Sequence, residues 1–303
     1  MSVSDKTFFF ISVDSAWNNY VLQHYLLASG SKSIPVFNGK ICSFEKKESR
    51  EIYSNVKNIF VKKTAGYVTN STDNICISLL VGTVQVGFYS NYSMLFSAVR
   101  QAEQQISNGF SASFGDLVAR ERPEKVDYTL CRMTSLFQLF GMIMSCGLMA
   151  CASTFVSIWI GKKYVLAAPV VFICCINIYL TIVKDPLWQA MDACGLFAYD
   201  RNLAIISTTI NLVVSVILGI YYGMCGIFIG TAVSTIFEVV FKSIGIYRKK
   251  LHIPGVKYRT IWIKMSVSET VALTVSLLSA GYISIICIYA FFYREAFLLL
   301  QQL

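Results

Sequence analysis

Apolar stretches long enough to cross a bilayer, about 20 residues each, recur along this chain. They lie near residues 128–156, 164–183, 202–222, 224–247 and 266–293. Two more, 64–81 and 84–118, have the length but carry polar side chains in their middles. Another, 7–29, is interrupted by Asp14, Asn18, Asn19, Gln23 and His24. The pattern predicts an all-α fold: a polytopic transmembrane helix bundle of about seven or eight spans. The first residues do not read as a signal peptide, which needs a basic n-region and a clean apolar core.

The connections between these stretches alternate in charge. Lys and Arg crowd the segments 31–63, 120–132 and 242–264, and Lys184 and Arg201 bracket another. The intervening connections, near Gly82, Gly161 and Gly223–Gly226, are poor in charge, with only Lys162 and Lys163 beside Gly161. Basic loops stay on the cytoplasmic side, so the crowded connections are expected inside. A crossing at 7–29 would then put Met1 outside, and one at 266–293 would put Leu303 outside. Either 7–29 does not cross, or the chain is a piece of a longer protein.

Composition agrees with the pattern. Of 303 residues, 55% are hydrophobic and 14% charged, against about 25% charged in soluble domains. So few charges cannot cover a soluble surface, and so much apolar content excludes disorder. The net charge of +9 would suit nucleic acid if it gathered on one soluble face, but it is spread between apolar spans. Ten cysteines include no CxxC pair and only two histidines accompany them. No metal site is therefore expected, and the cysteines read as small buried hydrophobes. No cofactor and no enzyme activity are expected, because there is neither a Gly-rich phosphate loop nor a nucleophile–base constellation. A membrane-bound polymerase or acyltransferase would need a large outer loop with acceptor-binding Arg or His, which the pattern lacks.

Four segments carry a family resemblance: STDNICISLLVGTVQVGFYSNYSML (71–95), SNGFSASFGDLVARERPEK (107–125), FVSIWIGKKYVLAAPVV (155–171) and GLFAYDRNLAIISTTINLVVSVILGIYYGMCGIFIGTAVS (195–234). In this order they resemble the polysaccharide flippases of the multidrug/oligosaccharidyl-lipid/polysaccharide exporter superfamily. The resemblance implies two six-helix bundles around a central cavity. It also implies transport of polyprenyl-diphosphate-linked oligosaccharide across the bacterial cytoplasmic (inner) membrane. On this reading residues 1–30 are a remnant helix of a first bundle and 31–57 a cytoplasmic linker. Residues 58–247 are the second six-helix bundle, 248–265 a cytoplasmic basic loop, and 266–303 an extra C-terminal transmembrane helix. The implied partners are membrane lipid, lipid-linked oligosaccharide, and a missing first bundle or a second copy. The rival expectation is an inactive fragment, or an interaction partner that transports nothing by itself. One departure stands out: relatives tend to have Pro after an aromatic–Glu step that here reads Phe237, Glu238, Val239, which should remove a kink.

Ionisable groups inside a membrane face protein or water, so they mark the candidate cavity. Arg100, Glu103, Gln104 and Ser107 recur at helical spacing. Arg100 can serve as a cavity cation for pyrophosphate or an acidic sugar, since a guanidinium bonds phosphate oxygens in pairs. Alternatively, Arg100 and Glu103 neutralise each other inside the bundle. Gly66, Thr69, Asn70 and Asp73 form a second spaced set; Asp73 reads either as cavity polarity or ion coupling, or as a helix-end residue bonding the turn before Gly82. Glu238 and Lys242 read as a structural i, i+4 pair, and Asp192 as a solvated loop residue. Gly219, Gly223, Gly226 and Gly230 have the small-xxx-small spacing of close helix packing.

Overall fold

A computed structural model describes residues 46–278, and within them the fold is helical with no strand. The helices are α1 (Lys46–Leu80), α2 (Thr83–Arg120), α3 (Pro123–Trp159), α4 (Ala168–Val183), α5 (Asp185–Ala193), α6 (Phe197–Tyr222), α7 (Met224–Ile246) and α8 (Val256–Leu278). A 3₁₀ turn, Lys162–Tyr164, follows α3, and a π-helical turn, Tyr247–Leu251, follows α7. The expected crossing at 7–29 lies outside the described residues, as does the end of that at 266–293.

Among the described residues four helical stretches are long and apolar enough to cross a membrane: Pro123–Trp159, Ala168–Ala193, Phe197–Tyr222 and Met224–Leu251. The bundle is thus a polytopic helical membrane protein. Helices α1 and α2, also expected as spans, exceed spanning length but fall below this apolarity because of the polar residues in their middles. Within the linker expected at 31–57, α1 has already begun at Lys46.

Local chemistry explains the boundaries. Pro123 opens α3 in its first turn, where its missing N–H costs nothing. Gly82 (φ 124°) and Gly161 (φ 121°) end α1 and α3 in conformations that L side chains rarely adopt. Asp192, expected in a loop, lies instead in α5, which carries Pro186 in its first turn. Lys184 is the break between α4 and α5, so one apolar run becomes two helical segments.

Helices α6 and α7 form the closest pair. Gly226 lies against the Leu218 carbonyl, where an added Cβ would stand 2.0 Å from the oxygen. Gly230 lies against Ser215 in the same way, 2.2 Å from Oγ. Glycine here removes the only atoms that would hold the backbones apart, the bland role its spacing suggested. Helix α7 continues through Phe237–Glu238–Val239 without interruption.

The core has two main centres. One, toward the charge-poor turns, gathers Ile77, Tyr92, Phe137, Cys175 and Ile227; the other, toward the basic turns, gathers Leu130, Leu187, Met191, Ile246 and Tyr258.

Candidate functional site

Two polar clusters hang on the short helix α5. Its N-cap Lys184 and its residues Trp188 and Asp192 follow at i, i+4 and i+8, hence one face, while Asp185 and Gln189 take the adjoining face.

The first cluster is a buried charge network between α1, α5, α6 and α7. Asp200 at the start of α6 is 1% exposed and takes two lysines, Lys62 at 2.7 Å and Lys242 at 2.9 Å. Lys62 also reaches Asp192 at 2.8 Å. Lys184 reaches Glu238 at 3.0 Å, and Lys242 lies 3.9 Å from Glu238. Three cations thus meet three carboxylates. Trp188 stands among them, its ring centroid 4.5 Å from the Lys62 Nζ, 4.8 Å from Lys242 and 5.6 Å from Lys184. The ring face offers these cations a quadrupole where water is excluded.

The second cluster joins α2 to α5. Arg100 bonds Glu103 at 2.8 Å. Glu103 is fully buried, and its Oε1 has no hydrogen-bond partner among the described residues. One turn on, buried Ser107 donates to Asp185, and Gln189 Nε2 donates to the Ser107 carbonyl at 3.1 Å and contacts its hydroxyl. Two carboxyl groups, Glu103 and Asp185, therefore share this cluster with one guanidinium.

A third polar contact lies between α1, α6 and α7. Thr231 donates to Asp73 at 2.9 Å, and Asn211 donates to Thr231 at 3.0 Å. One turn earlier on α1, Thr69 meets Thr208 at 2.9 Å.

The structure thus brings Arg100, Glu103 and Ser107 together and adds Asp185 and Gln189 to them. Gln104 does not join: it points away from the core and is exposed. Asp73 bonds across to α7 rather than to the turn before Gly82. Asn70 lies on α1 beside Thr69, and its side chain is outside the described set. Asp192, read as solvated, is paired with Lys62 instead. Glu238 and Lys242 do belong together, but each has a shorter partner elsewhere. Lys62 and Asp200 were missed. The available signal was charge adjoining an apolar run, which Asp200 and Lys242 both show. Among the described residues no group of His, Cys, Asp and Glu is arranged to hold a metal ion.

Helical spans, close glycine contacts and polar clusters buried between helices define an integral membrane protein whose interior carries charge. Residues 19–169 match the family model described as polysaccharide biosynthesis protein, and the chain belongs to that family. No curated protein and no solved structure matches it significantly.

Proposed function

We propose that this chain forms one wall of a flippase that moves polyprenyl-diphosphate-linked oligosaccharide across the bacterial cytoplasmic membrane by alternating access, with no bond made or broken. The observation that carries the reading is a polar stripe on α2. Ser97, Gln101, Gln104, Gln105 and Asn108 follow at i, i+4, i+7, i+8 and i+11, and all are exposed. Hydrocarbon cannot satisfy amide groups, so such a stripe within a span faces a water-filled passage. Arg100 stands at its edge, 25% exposed, with one Nη committed to Glu103. A guanidinium has five N–H donors, which leaves others to meet a pyrophosphate or an acidic sugar. The opposing wall would be a first bundle or a second copy, since bundles of such transporters are related by pseudo-symmetry.

The rival reading, a chain that only docks against another membrane protein, needs the same stripe to be dry. The Arg100 series tests the transport reading in cells that export through this chain and its opposing wall. Arg100→Ala is expected to lower export at least tenfold, and Arg100→Lys by less, because Lys keeps the charge and loses the fork. Recovery of export in the double variant Arg100→Ala, Glu103→Ala would show that the pair is only structural, and would overturn the assignment.

A further inference from the structure

A cavity of about 240 Å³ lies where the chain turns from α7 into α8. Its lining is divided. Ile244, Ile253 and Pro254 are apolar, buried Tyr247 contributes an aromatic ring, and Arg248 and Arg259 supply two cations. Among the described residues no carboxylate lines it. Neither guanidinium is in an ion pair among the described residues.

The cavity is held in shape by what surrounds it. The Tyr247 hydroxyl bonds Asp127 on α3, and its ring packs on Tyr258 with centroids 5.7 Å apart. Gly255 lies so close that an added Cβ would stand 2.7 Å from the Tyr247 ring. His252 turns the chain at φ 54°, a left-handed conformation uncommon outside glycine. The Arg259 Nε bonds the Gly255 carbonyl at 3.3 Å. That fixes the stem of the side chain and uses one of its five N–H donors. The site is therefore preformed, and among the described residues no carboxylate neutralises its charge from within.

We propose that this cavity binds the phosphate of an anionic lipid headgroup, with an acyl chain along Ile244 and Ile253. Two guanidiniums match phosphate oxygens in geometry as well as charge. Basic pockets at the ends of membrane helices recognise anionic headgroups in this way. The apolar half of the lining favours a lipid over free phosphate. So does the position, at the end of the spanning segment Met224–Leu251. Flanking Lys249 and Lys250 are exposed at the same end but do not line the cavity. This site is separate from the α2 stripe, and its test does not depend on the transport reading.

The test uses the full chain in detergent, with retained lipid counted by native mass spectrometry and protection read by thermal unfolding. Phosphatidylglycerol, phosphatidylcholine and inorganic phosphate are the three probes. Phosphatidylglycerol is expected to bind and to raise the unfolding temperature; phosphatidylcholine and millimolar phosphate are not. Arg248→Gln with Arg259→Gln should weaken phosphatidylglycerol binding at least tenfold, while Lys249→Gln with Lys250→Gln, an equal loss of charge beside the cavity, should change it less than twofold. The doubly lysine-substituted Arg248→Lys, Arg259→Lys variant keeps the charge without the fork and should fall between. Equal losses in the two glutamine pairs would reduce the effect to diffuse attraction and overturn the proposal. Protection by inorganic phosphate matching that by lipid would overturn the lipid assignment.

Discussion

Lys242 and Asp200 face each other 2.9 Å apart with 0% and 1% of their side chains exposed. Such a pair has no water to fall back on. It persists because Asp200 also holds Lys62, and because Glu238 and Trp188 stand beside Lys242. Lys62 comes from α1, Trp188 from α5, Asp200 from α6, and Glu238 and Lys242 from α7. The network therefore ties four helices together at the basic end of the bundle. Removing one partner from a buried pair costs about 3–5 kcal/mol, because the other charge is left unpaired.

Asp200→Ala is thus expected to destabilise the chain by about 3–5 kcal/mol, seen as a large drop in unfolding temperature in detergent. The double variant Asp200→Ala, Lys242→Met removes the stranded charge as well. It should recover more than half of that loss. A double variant as unstable as the single one would mean that Lys62, not Lys242, is the cation Asp200 serves.

The glycines separate into two groups. Gly226→Ala and Gly230→Ala each push a Cβ into the α6 backbone and should cost at least the 1–3 kcal/mol of an overpacked core. Gly109→Ala on α2 meets nothing within 4 Å. It should be neutral, or stabilise by up to about 1 kcal/mol through helix propensity alone. Unfolding temperatures of the three variants check the ranking.

The two turns flanking α3 test the direction of insertion. Arg122 and Lys162 are both exposed and lie at its opposite ends. With 37 residues, α3 is long enough to carry them to opposite sides of a bilayer. In intact cells a membrane-impermeant thiol reagent should label Lys162→Cys and not Arg122→Cys, in a background freed of reactive native cysteines. The reverse labelling would invert the topology that the basic connections imply.

Much of this architecture was legible in the sequence because the bilayer reads composition directly. The apolar runs that became α3, α4, α6 and α7 announce themselves by length and hydropathy. Gly226 and Gly230 announce the α6–α7 contact by spacing. The pairing of Arg100 with Glu103 is local, three residues apart on one helix, so helical periodicity alone could find it. The partners supplied from a distance were not legible. Asp185 and Gln189 reach Ser107 across about 80 residues of chain, and Lys62 reaches Asp192 across 130. Pro186 masked α5 as a loop, although proline fits the first turn of a helix. With α5 unread, the side chains at Lys184, Trp188 and Asp192 had no common face, and the network they build could not be seen. Gln104 shows where spacing alone stops: i, i+4 from Arg100 places it near the cluster, but the α2 face that packs inward runs through Glu103 and Ser107, and Gln104 lies on the exposed side.

The most direct test of the account asks whether the α2 stripe is wet. A thiol reacts as its thiolate, which forms in water and not in hydrocarbon. In membranes containing the chain with the proposed opposing wall, Gln104→Cys is expected to react with a hydrophilic maleimide. Ile217→Cys, on the exposed apolar face of α6, is expected to stay unreacted under the same conditions. A Gln104→Cys as silent as Ile217→Cys would mean that the stripe is packed dry against lipid or protein, and the flippase reading would fall with it.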